Sequence, residues 1–351
     1  MTMEYESRKK VYVETKVFDT LEIDIKVGVT NNDDKRFYII NDISCANEQL
    51  NSPVLQNIGQ DIVKHINDLE FSKSHSKIRQ SWSAFYAIKE IIDIIRTEVK
   101  EKCKGYKIYF RGQGGDWPLK PTLYRDGENG YSDEFRIQYD TIYESIANKF
   151  PHEIEYSSDF GSKKRAANLA ILQHYGLGTP LVDITENPFI AMLFMTNNYQ
   201  YSEEHGSLKM DVFFIREDGE NTLFQEVGNK DNNLRITVQK GAFLNFEKLE
   251  GALIYGEKKI DRISINLKYD NASLEQELLP DGLDDEGNNN PEIALKTAAR
   301  DIQEKLTSFN YMNADLFPDF YKCLEMIKLK YTQGNGTEQP WYKIFYHKIE
   351  K

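Results

Sequence analysis

Cysteine is scarce in this chain: three residues in 351, Cys45, Cys103 and Cys323, odd in number and far apart. That pattern excludes a disulfide scaffold and fits no metal-ligand spacing, so reduced thiols, a cytoplasmic setting and no metal are expected. Long apolar runs are missing too. The longest, Pro188 to Met195, falls well short of the roughly 20 residues that a membrane helix needs. The charged start, Met1 to Lys10, has no apolar stretch behind it of the kind a signal peptide carries. Basic charge is also short, with 44 Lys and Arg against 56 Asp and Glu and a formal net charge of −12. Broad nucleic-acid surfaces are built from clustered Lys and Arg, so that class is disfavoured, while a local basic pocket is not.

What remains is an ordinary globular composition, 40% hydrophobic, 12% aromatic and 28% charged, with 21 Gly and 10 Pro. At roughly 100–200 residues per domain, this length suggests one large domain with additions, or two domains. Val11, Val13, Leu21, Ile23, Ile25 and Val27 fall at period two, and Asn31 to Asp34 makes a turn before Arg36 to Ile40, so a small β-meander is expected from about Lys10 to Asp42. Ser81 to Lys102 carries Phe85, Ile88, Ile92 and Ile95 at helical steps. Gly105 ends that pattern, and Tyr106 to Phe110 reads as a strand running into Arg111-Gly112-Gln113-Gly114-Gly115.

A helix from Lys164 to Tyr175 stops at Gly176, a residue suited to the left-handed closing position. Leu181 to Ile184 is a short strand, and Asn187-Pro188 opens an apolar helix from Phe189 to Thr196. Further strands are expected at Val212–Ile215, Leu234–Gln239 and Ile260–Leu267, a polar loop at Gly282–Asn290, and helices at Pro291–Phe309 and Asp319–Tyr331. An aromatic tail around Trp341 closes the chain, and no internal repeat is evident. The expected fold is α+β, a mixed central sheet with flanking helices plus the small N-terminal β-meander.

Two segments stand apart from generic core. One is Phe110-Arg111-Gly112-Gln113, followed by Trp117-Pro118-Leu119 and Pro121-Thr122-Leu123-Tyr124-Arg125. The other runs Leu172-Gln173-His174-Tyr175-Gly176-Leu177-Gly178-Thr179-Pro180-Leu181-Val182-Asp183-Ile184-Thr185-Glu186-Asn187-Pro188 and on to Phe194. Together they resemble the FRG domain family, named for its Phe-Arg-Gly motif; Arg235 to Phe243 and Leu316-Phe317-Pro318-Asp319 extend the resemblance. It covers about Ser81 to Tyr331 and implies an N-terminal β-rich extension over residues 1–75, an FRG domain over 76–335 and a tail over 336–351. Family members are bacterial and phage proteins found beside defence and toxin-like modules. The order of motifs also resembles ADP-ribosyltransferases, whose first strand ends in an aromatic-Arg-Gly and whose third strand carries a catalytic Glu; here that slot holds Gln239.

The resemblance implies NAD as substrate and either ADP-ribosyl transfer or NAD cleavage. NAD carries a dianionic pyrophosphate, and an arginine forks onto phosphate oxygens while keeping its charge. Arg111 has that form, and Gly112 with its neighbouring glycines lets backbone N–H groups approach an anion. The expected ligand-binding residues are Arg111, Gly112, Gln113, Tyr175 and Thr185, and the expected catalytic residues are His174, Asp183 and Gln239. Asp183 would stabilise an oxocarbenium-like sugar or orient His174; Gln239 would hold the ribose by hydrogen bonds.

Each residue has a structural reading beside the functional one. Arg111 could pair with a carboxylate such as Asp183, His174 could close its helix, and Asp183 could cap the next one. Tyr109, Tyr175 and Phe194 could stack on a base or pack in the core. The basic run Lys163-Lys164-Arg165 reads as a solvated helix start, with a polyanionic partner as the other reading. The expected partner is thus a nucleotide-like small molecule, with a protein partner open and no membrane; the alternative is a non-catalytic recognition or scaffold module whose motif residues are structural.

Overall fold

The computed structural model describes residues 4–29, 38–46, 50, 52–68, 82–127, 130–197, 199–216, 223–226, 239–249, 260–270 and 291–312. The period-two pattern near the N-terminus becomes β1 (Phe18–Gly28), in which Leu21, Ile23, Ile25 and Val27 are fully buried and Glu22 is exposed. Strand side chains alternate, so one face of β1 is covered and the other is largely polar. The expected strand start near Lys10 is corrected: α1 (Glu4–Val11) and α2 (Glu14–Val17) precede β1. Tyr5, Arg8 and Tyr12 are buried there at helical spacing, so tertiary burial overrides the short alternation of Val11 and Val13.

β2 (Ile39–Ala46) pairs antiparallel with β1. α3 (Pro53–Asp68) and α4 (Ala84–Lys102) follow, the latter capped by Ser83, whose hydroxyl accepts from the Phe85 amide. β3 (Tyr106–Gln113) leads through a 3-10 turn (Thr122–Tyr124) to α5 (Asp133–Lys149) and α6 (Lys163–His174). β4 (Leu181–Thr185), α7 (Pro188–Thr196), β5 (Leu208–Arg216), β6 (Phe224–Gln225), β7 (Gly241–Asn245), β8 (Ile260–Tyr269) and α8 (Pro291–Ser308) complete the described elements. The expected strand at Leu234–Gln239, except Gln239 itself, lies outside the described residues. So do the Asn31–Asp34 turn, the Gly282–Asn290 loop, the Leu316–Asp319 motif, the Asp319–Tyr331 helix and the Trp341 tail.

The eight strands form one sheet in the order β2-β1-β8-β5-β3-β4-β7-β6. β1 and β8 run parallel and every other neighbouring pair is antiparallel, so the sheet is mixed and the fold is α+β. The strands of the N-terminal segment form one end of the same sheet that carries β3 and β4.

Each face has its own core. On one, Ile23, Ile25, Ile263 and Phe110 pack with Ile58 of α3, Ile88 and Ile92 of α4, Ala191 and Met195 of α7, and Ile302 of α8. On the other, Tyr109, Phe213, Val182 and Phe243 pack with Tyr5 of α1, Tyr139 and Tyr143 of α5 and Leu169 of α6. Each Ile, Leu, Val, Phe or Met among them adds roughly 1.5–3 kcal/mol when fully buried.

The strand alternation sets the roles in Phe110-Arg111-Gly112. Phe110 is 1% exposed in the first core, and Arg111 projects from the opposite face. At Gly112, on the Phe110 side, a Cβ would lie 1.8 Å from the Ala191 carbonyl oxygen and 2.6 Å from the Met195 nitrogen. β3 therefore lies directly on the backbone of α7, an approach that only glycine permits.

Arg165 corrects the solvated reading of its basic run. Its side chain is fully buried, with Nε donating to Glu247 Oε1 at 2.8 Å and Nη2 donating to Asp140 Oδ1 and Tyr5 Oη, each at 2.8 Å. Lys164, one residue earlier, stays exposed and pairs with Glu155 at 2.5 Å. Neighbours on a helix differ by about 100° in direction, so a charge run need not share one environment.

Candidate active site

The end of β3 and the end of β4 meet at a single bridge, Phe110 opposite Thr185. There the half-buried Arg111 donates from Nη1 to the backbone carbonyl of Asp183 at 2.8 Å and from Nε to Gln113 Oε1 at 3.4 Å. Its partner is thus the Asp183 carbonyl; the Asp183 carboxylate is solvent-exposed and accepts from Gln173 Nε2 at 2.7 Å. Gln173 is held in turn by the Thr179 hydroxyl, which donates to its Oε1.

Gln173 reaches this point because α6 ends where it does. Gly176 adopts φ 92° and its N–H donates to the Gln173 carbonyl at 3.0 Å, while Leu177 N donates to Leu172 O at 3.0 Å. That closure turns the chain back through Thr179 and Pro180 into β4. Thr185, 5% exposed, donates its hydroxyl to the Gln239 carbonyl at 2.6 Å and accepts from the Asn187 amide at 3.0 Å. Asn187 then caps α7 by accepting from Phe189 N at 3.0 Å, with Pro188 in the first turn. Gln239, 8% exposed, is helical and directly precedes Lys240 at φ 46° and β7.

These strand ends floor a cavity of about 620 Å³. Arg111, Gly112, Gln113, Asp183, Thr185 and Gln239 all line it. Its outer wall is the segment after β3, contributing Trp117, Pro118, Lys120, Arg125 and Asp126, and Phe194 and Phe243 add apolar surface. Three cations and two carboxylates thus line one concavity. Burial pulls the Arg111 pKa below the ordinary arginine value; Asp183 opposes this and the charge of Arg125 adds to it. Arg125, although solvent-accessible, is also lowered by the protein around its head group, with Asp183 opposing. Both still carry full charge at neutral pH.

His174 and Tyr175 do not line this cavity. Tyr175 is 65% exposed at the end of α6, and its ring meets the half-buried His174 ring edge-on at 5.1 Å between centroids. The helical step between 173 and 174 separates them: Gln173 faces β4 and His174 points elsewhere. Gln173, Lys120 and Arg125 lie within or beside the FRG-like motifs but are not among the site residues expected from sequence; distance along the chain hides that they converge. Tyr109 is core, 1% exposed, and donates to Glu186 Oε1 at 3.2 Å.

Among the described residues, no group of three or more His, Cys, Asp or Glu could hold a metal ion. Nor is any described helix long and apolar enough to cross a membrane.

A mixed sheet with flanking helices and a charged cavity at the ends of β3 and β4 defines an α+β domain. Residues 106–204 match the family model of the FRG domain, so the chain contains an FRG domain. The match begins at the first residue of β3 and takes in the cavity residues from Phe110 to Phe194; Gln239, Gly241 and Phe243 lie beyond it. No curated protein and no solved structure matches the chain.

Proposed function

We propose that the cavity binds an NAD-like nucleotide and cleaves the bond between its ribose and nicotinamide, passing the ADP-ribosyl group to water or to an acceptor. The observation that supports this reading is the juxtaposition of Arg111 and Asp183 on one cavity floor, a fixed cation beside an exposed carboxylate. Arg111 takes a phosphate, and Gln113 and Gln239 offer hydrogen bonds to the sugar. As the C1′–N bond breaks, nicotinamide leaves with the bonding pair. The ribosyl cation that forms is stabilised by the Asp183 carboxylate, which Gln173 holds in place. The acceptor oxygen then bonds to C1′ and releases its proton to solvent.

Incubating the full chain with NAD labelled on its adenosine half tests this. The expected result is release of free nicotinamide with labelled ADP-ribose in solution or on an acceptor, lost in Arg111→Ala and Asp183→Asn. Absence of both binding and turnover overturns it.

One observation favours a second reading, a non-catalytic recognition module: Thr185 and Gln173 use their polar groups to hold the fold together. Under that reading Asp183→Asn costs several degrees of melting temperature. Under the enzymatic one it costs little, because the carboxylate is exposed.

A further inference from the structure

The segment between β3 and α5 is held more firmly than a surface loop. Leu123 and Tyr124 of its 3-10 turn are fully buried, and Leu123 N donates to Thr179 O at 3.3 Å. The N-terminal helices grip it as well. Tyr12 donates its hydroxyl to the Leu119 carbonyl at 2.6 Å, and Leu119 N donates to Glu14 Oε2 at 3.2 Å. Lys9 pairs with Asp126, which also meets Lys120 at 3.5 Å.

This clasp fixes Lys120 and Arg125 in the lining of the cavity that Arg111 also lines. Arg125 donates from Nε to the Lys120 carbonyl at 3.4 Å. Among the described residues no carboxylate comes within ion-pair distance of the guanidinium of Arg125 or of Arg111, and the Asp183 charge is shared between the two. Two partly desolvated guanidiniums thus share one concavity, and each fork is suited to two oxygens of a tetrahedral anion. A single monoanion compensates one of them; an anion with two linked tetrahedral centres compensates both.

We infer that Arg111 and Arg125 clamp the two phosphoryl groups of a pyrophosphate, with Lys120 at the outer edge. The cavity then selects nucleoside diphosphates and dinucleotides over monophosphates. The inference rests on the nucleotide reading above and names the part of the ligand that the site recognises. The N-terminal helices support the same clamp, because Lys9, Tyr12 and Glu14 hold the wall that carries Arg125.

Calorimetric titration of the full chain at low salt with inorganic pyrophosphate, ADP, inorganic phosphate and AMP tests it. Pyrophosphate and ADP are expected to bind about tenfold or more tighter than phosphate and AMP, the equivalent of one added charge-assisted contact. Arg125→Ala is expected to abolish that preference, and Arg125→Lys, which keeps charge but loses the fork, to reduce it. Arg125 is solvent-accessible, so both variants should melt with the wild type, which separates lost binding from lost fold. Equal affinity for pyrophosphate and phosphate, or wild-type pyrophosphate binding by either variant, overturns the clamp. Pyrophosphate selectivity without NAD turnover leaves the clamp standing and removes the enzymatic reading. NAD cleavage by Arg125→Ala at the wild-type rate and KM does the reverse.

Discussion

Arg165 and Glu247 meet at 2.8 Å with both side chains fully buried, 82 residues apart in sequence. Tyr5 completes the group, donating its hydroxyl to Glu247 Oε1 at 2.5 Å while accepting from Arg165 Nη2. Glu247 Oε2 also accepts from the Gly161 amide at 3.1 Å, and the Arg165 head group lies 4.1 Å from the Phe160 ring centroid. This cluster joins α1, α6 and the turn after β7. Burial works against the charge of Arg165, but Tyr5 and Glu247 outweigh it and hold its pKa above the ordinary value.

Glu247→Ala leaves that guanidinium buried without its main counter-charge. The expected loss is about 3–5 kcal/mol, read as a fall in the urea midpoint. Lys164→Ala, which removes only the exposed pair with Glu155, is expected to change stability by less than about 1 kcal/mol. Similar costs for the two would show that the buried cluster does not anchor α1.

Gly112→Ala should be among the most damaging single-methyl changes in the chain. The new carbon has to occupy space 1.8 Å from the Ala191 oxygen, so β3 and α7 must separate. Overpacking against backbone predicts a loss of about 3 kcal/mol or more, or failure to fold. Gly114→Ala is the control: its nearest neighbour, the Met195 carbonyl oxygen, lies at 3.4 Å, and the change should cost far less. Equal midpoints for the two variants would refute close packing of β3 on α7.

Alkaline pH should weaken the fold over a defined window. Burial, with help from Asp24, pushes the Cys45 thiol up to about 11 from 9.0, and burial pushes Tyr143 up to about 12 from 10.0. Both are neutral in the native state and ionise earlier in the unfolded chain. The stability they contribute is therefore complete below pH 9 and is lost as pH rises through 11 and 12. Tyr143 donates to the Glu155 carbonyl at 2.6 Å, a bond its ionised form cannot make. Tyr143→Phe should flatten the decline between pH 10 and 12 by up to about 1.4 kcal/mol per pH unit, the value for one proton. An unchanged slope would contradict the assignment.

The parts legible in the sequence were those governed by near neighbours. β1 declares itself from Leu21 to Val27 by alternation, α6 closes at Gly176 because the turn needs positive φ, and Asn187-Pro188 opens α7. Other elements were harder to read. α5 mixes Tyr139 and Tyr143 with charged neighbours, and α1 is stabilised by burial of Tyr5 and Arg8 against distant residues. Within the site, Arg111, Asp183 and Thr185 stand out because they sit in motifs at strand ends. Arg125 and Gln173 fall in motif segments too, but their place at the cavity and beside Asp183 depends on where the 3-10 turn and the end of α6 lie in space.

By itself, then, the sequence determined the mixed α/β content, the strand-end motifs and the FRG resemblance. All of these depend on residue type and on spacing over a few positions. Only the tertiary structure decided that the N-terminal strands join the same sheet, that Arg165 is buried beside an exposed Lys164, and that Arg125 and Arg111 line one cavity. Each of those facts depends on contacts between segments far apart in the chain, where local periodicity carries no information about which surfaces meet.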